Sequence, residues 1–141
     1  MKKILLMTCA LWLSISAYSQ EKSNIVVLNK ADFLAKVSNY EKDSEKWVYK
    51  GTKPCIVDFY ADWCAPCRKL APILAEIATK YKNQVIVYKI DTDKERELAQ
   101  AFGISSIPTL FFIPVDGTPQ VVRGVLSKED LEKIITQVLI K

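Results

Sequence analysis

Apolar residues recur along this chain in two rhythms, and the switches between them outline the elements. Ile25 to Leu28 form a short apolar run, which predicts a strand over Asn24–Leu28. Asn29, with Asp32 three residues on, has the spacing of a helix cap, and Phe33, Leu34, Val37 and Tyr40 continue one helical face. Residues 41–53 are polar and charged apart from Trp47, Val48 and Tyr49, so they read as a connection that tucks an aromatic pair onto the core. Pro54–Tyr60 is β-branched and aromatic, as a buried strand requires. From Cys64 onward the spacing is helical, with Leu70, Ile73, Leu74, Ile77, Ala78 and Tyr81 on one face and Pro72 as an expected kink. Gln84–Ile90 reads as a second buried strand. Thr92 or Asp93 is expected to cap a short helix that carries Leu98 and Phe102 and stops at Gly103. Pro108–Ile113 is a third core strand, and Asp116-Gly117 turns it back into Gln120–Arg123. Ser127 and Asp130 open a last helix with Leu131, Ile134, Ile135, Val138 and Leu139 on one side. The order β-α-β-α-β-α-β-β-α predicts an α/β protein. It is a three-layer sandwich with a central mixed β-sheet flanked by helices.

The amino terminus follows a different pattern. Lys2 and Lys3 precede an apolar run from Ile4 to Ala17, and Ala17-Tyr18-Ser19 ends it with small residues at the outer positions. This is the pattern of a secretory signal peptide over residues 1–19, which leaves one domain over residues 20–141. A membrane anchor would need about 20 apolar residues, more than this run supplies. A lipid anchor at Cys9 is disfavoured by the short apolar stretch before it and the bulky Thr8. An exported, periplasmic or secreted location follows, with no stable membrane insertion once the signal is removed. Loss of Lys2 and Lys3 takes the formal charge from +4 to +2. With no basic block interleaved with aromatics, nucleic acid is not an expected partner.

Composition narrows the chemistry. The chain has four cysteines and no histidine. Cysteine–histidine and serine–histidine nucleophile pairs and histidine metal sites are thereby excluded. Cys9 leaves with the signal, and export places the other three where disulfides persist.

Trp63-Cys64-Ala65-Pro66-Cys67-Arg68 joins a strand to a helix. Two cysteines on a first helical turn can close a small disulfide ring. The helix N-terminus favours a thiolate at Cys64, which makes it the attacking sulfur and pulls its pKa from about 8.5 toward 7. Cys67, one turn deeper, is placed to resolve a mixed disulfide, and Pro66 restricts the backbone between them. A zinc site would need four ligands, and only Cys55 remains to join the pair, so no metal is expected. A ring this small contributes little stability by loop closure, which argues against a purely structural bridge. Cys55 points to the opposite face of its strand from Asp58 and sits at the far end from the pair, so it reads as a small buried hydrophobe.

Asp58 interrupts an apolar strand. A buried carboxyl there would have a raised pKa and could exchange a proton with Cys67; a strand-end aspartate facing solvent is the plainer alternative. Lys89 interrupts another apolar strand in a matching place and could pair with Asp58 if the two strands are neighbours, although alone it would read as a surface lysine. Ile107-Pro108 begins a strand, where proline is tolerated. A cis bond there would aim the Ile107 backbone outward, and an ordinary turn proline is the alternative.

These residues together resemble the thioredoxin family. The resemblance rests on Val57-Asp58-Phe59-Tyr60-Ala61-Asp62-Trp63-Cys64-Ala65-Pro66-Cys67, then Leu70-Ala71-Pro72-Ile73-Leu74 and Tyr88-Lys89-Ile90-Asp91. It continues through Phe102-Gly103-Ile104, Ser106-Ile107-Pro108-Thr109-Leu110 and Gly124-Val125-Leu126-Ser127-Lys128. Only residues 29–53 look longer than usual. The resemblance implies a thioredoxin fold with Cys64 as nucleophile, Cys67 as resolving cysteine, and a redox-active disulfide between them. It implies Asp58 as proton-transfer carboxylate with Lys89 as its partner, and Pro108 as the cis-proline. Trp63, Pro66, Ile107, Pro108 and Gly124 would form the substrate-docking surface. Two departures stand out. Ala65 replaces the family's usual glycine between the cysteines, and Arg123 stands where the docking surface is commonly apolar.

The expected function is a thiol–disulfide oxidoreductase that reduces protein disulfides outside the cytoplasm without a cofactor. Its partners would be disulfide-containing protein substrates and an electron-donating thiol reductase. A net thiol oxidase or isomerase, and a non-catalytic binding module of the same fold, are the alternatives.

Overall fold

The computed structural model describes residues 24–141. The expected signal peptide, with Cys9 and the boundary at residue 19, lies outside the described residues. Five strands form one sheet: β1 (Ile25–Val27), β2 (Cys55–Tyr60), β3 (Ile86–Asp91), β4 (Thr109–Ile113) and β5 (Gln120–Arg123). Their spatial order is β1-β3-β2-β4-β5. β1 and β2 run parallel to β3, whereas β4 runs antiparallel to both β2 and β5. The mixed sheet and its hairpin edge are those the element order predicts.

The helices are α1 (Lys30–Lys36), α2 (Ala65–Lys80), α3 (Arg96–Ala101) and α4 (Lys128–Ile134). The period-2 alternation of the central strands divides the core between them. Ile56, Val87, Leu110 and Phe112 face one side and pack with Leu70, Leu74 and Ile77 of α2 and Leu131 of α4. Cys55, Val57, Phe59, Ile90 and Phe111 face the other and pack with Phe33 of α1 and Leu98 of α3. Strands buried on both faces are continuous apolar runs, as their sequences show. Among the described residues no helix is long and apolar enough to cross a membrane.

Local capping signals hold where the side chain is free to cap. Asn29 accepts the Asp32 amide at 2.8 Å, and Ser127 accepts the Asp130 amide at 3.1 Å. Several boundaries differ from those the sequence predicts. α1 stops at Lys36 because the amides of Val37 and Ser38 both bond to the Phe33 carbonyl, which closes the helix before Tyr40. β3 begins at Ile86; Gln84 and Val85 instead bond back to the Tyr81 carbonyl in a turn. α3 starts at Arg96, later than Thr92 or Asp93 would place it, and its N-cap Glu95 gives no side-chain cap. The Glu95 carboxylate is engaged elsewhere, accepting the Lys30 amide of α1 at 2.9 Å. α2 continues through Pro72 as one element, and α4 passes into a π-helical turn over Ile135–Leu139.

The connection from α1 to β2 delivers aromatics to the core as its sequence predicts. Trp47 and Tyr49 pack on the face that holds α1 and α3. Phe102 is the hub of this layer, with ring centroids 5.2 Å from Phe33 and from Tyr40, 5.6 Å from Phe111, and 6.3 Å from Trp47 and from Phe59. Edge-on aromatic pairs at such distances add to the area they bury. Phe102→Ala is expected to lower unfolding free energy by about 3 kcal/mol, as for other large-to-small aromatic core changes. Urea-induced unfolding followed by far-UV circular dichroism measures it.

Candidate active site

β2 ends at Tyr60, and a tight turn leads directly into α2. The Ala61 carbonyl takes the Cys64 amide at 3.2 Å, which fixes Cys64 at the N-cap of α2. Cys64 and Cys67 are joined in a disulfide with Cα atoms 5.2 Å apart. The Cys64 sulfur serves as the cap, accepting the Cys67 amide at 3.2 Å. Pro66 in the first turn lacks an N–H where the helix would leave one unused. On reduction, a thiolate at Cys64 has a backbone N–H donor and the positive end of α2 beside it, two influences that favour the anion. Both sulfur-bearing residues are buried and pack with Ala61, Tyr60 and Ile107.

The loop before β4 closes the other side. The Ile107–Pro108 bond is cis. The Ile107 carbonyl oxygen lies 3.7 Å from the Cys64 sulfur. The Pro108 carbonyl in turn accepts the Gly124 amide at 2.9 Å, and Gly124 has φ +92°, a left-handed conformation that suits glycine. The structure thus links Cys64, Ile107, Pro108 and Gly124, residues that sequence spacing alone leaves 60 positions apart. Trp63 stands beside them, 68% exposed, and Pro66 is exposed as well. Ile107 and Gly124 are half-buried and Pro108 is buried, so the exposed apolar part of the rim is Trp63 and Pro66, which is suited to receiving a segment of another protein. Arg123 is exposed next to Gly124, and Arg68 folds back to donate to the Asp62 carbonyl at 2.9 Å.

Sequence reasoning misses what holds Trp63. Its indole Nε1 donates to the Asp93 carboxylate at 2.8 Å. Asp93 is therefore unavailable as the helix cap expected of it, and its own amide bonds the Asp91 carboxylate at 2.9 Å. The only sequence signal was a surplus of acidic and capping residues over 91–95, more than one short helix start can use.

Asp58 is only 5% exposed. It faces α2, bordering a cavity of about 20 Å³ with Ile25, Ala71, Leu74, Val87 and Lys89. Ala71 and Leu74 lie one and two turns beyond Cys67, so the carboxyl sits beneath the redox helix without a hydrogen bond to the cysteine. Asp58 Oδ1 has no hydrogen-bond partner. Burial raises the carboxyl pKa to about 7, against a smaller opposing pull from the positive charge of Lys89. Lys89 is the direct register partner of Asp58 across β2 and β3, as the sequence suggested. It forms no contact ion pair with Asp58; its ammonium instead lies 3.9 Å from the centre of the Tyr60 ring.

Cys55 is fully buried on the opposite face, and burial pushes its thiol up to about 12. Among the described residues no group of three or more potential ligands is arranged to hold a metal.

The thioredoxin family model matches residues 24–137. A thioredoxin of Borreliella burgdorferi is 46% identical over 110 residues, covering 78% of this chain and 93% of the relative. A thioredoxin of Alicyclobacillus acidocaldarius is 41% identical over 90 residues, covering 64% of this chain and 86% of the relative. A chloroplastic M-type thioredoxin of Spinacia oleracea is 32% identical over 127 residues, covering 89% and 70%. With a match across most of its length and a cysteine pair at the head of α2, the chain belongs to the thioredoxin family and is a thiol–disulfide oxidoreductase.

Proposed function

We propose that the chain reduces protein disulfides in an extracytoplasmic compartment, with Cys64 as nucleophile and Cys67 as resolving cysteine. The observation that carries this reading is the Cys64 sulfur at the N-cap of α2, accepting a backbone amide and bordered by an exposed apolar rim. The Cys64 thiolate attacks one sulfur of a substrate disulfide, forming a mixed disulfide and releasing the other sulfur as a thiolate. Cys67 then gives up its proton, with the Asp58 carboxylate as the ultimate acceptor, and attacks the Cys64 sulfur. The substrate leaves with two thiols, and the protein keeps the two-electron oxidised Cys64–Cys67 bond. An external dithiol reductase must restore it.

The assignment of Asp58 rests on its placement beneath α2 and a pKa of about 7, near the operating pH of an effective acid–base group. Trp63, Pro66, Ile107, Pro108 and Gly124 are assigned to substrate docking from their positions around the disulfide. Export rests on residues 1–19, whose charged start, apolar run and small-residue end suit a cleaved signal.

Cys64→Ser is expected to abolish reduction of insulin disulfides, and activity equal to the parent would overturn the mechanism. A reduction potential near about −270 mV is expected for a reductant, whereas one near about −120 mV would mark a thiol oxidant. Asp58→Asn is expected to slow turnover at pH 7 by roughly tenfold or more. The same substitution is expected to stabilise the oxidised protein in a pH-dependent way. With a folded pKa of about 7 above the ordinary 3.8, the folded state holds the extra proton and stability falls as pH rises through that window. Above pH 7 the full cost, on the order of 4 kcal/mol, is present. Urea unfolding should therefore show a gain for Asp58→Asn at pH 8.5 that is absent at pH 4. Export is checked by amino-terminal sequencing of the protein from the extracytoplasmic fraction, which should begin at Gln20.

A further inference from the structure

We propose that Tyr60 is a positioning residue: its ring face holds the Lys89 ammonium away from Asp58, leaving the carboxyl without a contact partner. This rests on the proton-transfer role given to Asp58 above. Asp58, Tyr60 and Lys89 share one face of the sheet, because Tyr60 is two residues past Asp58 on β2 and Lys89 is the register partner of Asp58 on β3. A lysine opposite a buried carboxylate at that spacing has the reach to form a contact pair, and the low-dielectric setting rewards it. Here the ammonium is instead 3.9 Å from the Tyr60 ring centre, and Asp58 Oδ1 has no partner. Both Asp58 and Lys89 border the same cavity of about 20 Å³.

Tyr60 is well placed for this. Its carbonyl accepts both the Thr92 amide at 2.9 Å and the Thr92 hydroxyl at 3.1 Å, which ties the end of β2 to the residue that follows β3. The negative face of an aromatic ring attracts a cation by an amount comparable with a partly screened ion pair, so it can compete with Asp58 for the same ammonium. The carboxylates of Asp62 and Asp91 also bear on Tyr60. The other residues around Asp58 are Ile25 of β1, Leu110 of β4, Val87 and Tyr88 of β3, and Ala71 and Leu74 of α2; of these only Tyr88 titrates, and none carries a positive charge. Burial thus holds the Asp58 carboxyl up, Lys89 is the cation that pulls against it, and Tyr60 sets the position of Lys89.

The test is a carbon-13 NMR titration of the Asp58 carboxyl in the oxidised protein, which needs no catalytic turnover and so is independent of whether the exchange mechanism holds. In Tyr60→Leu, Lys89 is expected to close on Asp58 and lower its midpoint by about one pH unit or more. Tyr60→Phe, which keeps the ring face, is expected to leave the midpoint in place. Tyr60→Leu made together with Lys89→Gln is expected to match Lys89→Gln alone. An unchanged or raised midpoint in Tyr60→Leu overturns the proposal, as does an equal fall in Tyr60→Phe or a persistent effect of Tyr60→Leu without Lys89. Should Tyr60→Leu not fold, the unsubstituted protein decides: the Lys89 ε-methylene protons must resonate upfield of the other lysines through the ring current, and ordinary shifts overturn the proposal.

Discussion

β2 is paired along both edges and covered on both faces, and the redox end of the molecule depends on that enclosure. Pairing with β3 and β4 fixes the direction in which the chain leaves the sheet, and the turn after Tyr60 converts that direction into the start of α2. Cys64 thereby reaches a helix N-terminus with its sulfur among backbone donors. The same strand places Asp58 under that helix in an apolar environment. A shift of one residue in register would turn Asp58 toward the aromatic layer and Val57 toward α2, separating the carboxyl from the cysteines altogether.

The enclosure is also what makes Asp58 costly. Nothing donates to its Oδ1, and the cation across the strand is engaged by an aromatic ring. Most buried polar groups are satisfied, and Asp58 Oδ1 is an exception together with Trp47 Nε1 of the α1–β2 connection. Cys55 shows the contrasting outcome on the same strand. It is equally enclosed, and its burial makes the thiol inert.

Local chemistry was legible in the sequence, and long-range competition was not. Asn29 and Ser127 cap their helices as predicted because their side-chain bonds stay within the local turn, the Ser127 hydroxyl also donating to the Asp130 carboxylate. The cysteine pair could be placed because a strand-to-helix junction is written in adjacent residues, and the apolar runs gave the sheet. α3 starts later than Thr92 or Asp93 would place it because the Thr92 hydroxyl is engaged at the Tyr60 carbonyl and the Asp93 carboxylate by Trp63. Those contacts exist only once the fold has formed. Lys89 reads as able to pair with Asp58 if the two strands are neighbours, which they are, but the seating of its ammonium on the Tyr60 ring depends on side-chain placement that two interrupted apolar runs do not carry.

The placement of Cys55 has a consequence for the fidelity of oxidation. It lies five residues from the end of β2, about 16 Å along the strand, and on the opposite face from α2. The sheet therefore acts as an insulator between this thiol and the redox pair. Of the three pairings that the three described cysteines allow, the fold brings together only one. It can cycle between dithiol and disulfide repeatedly without a competing bond to repair.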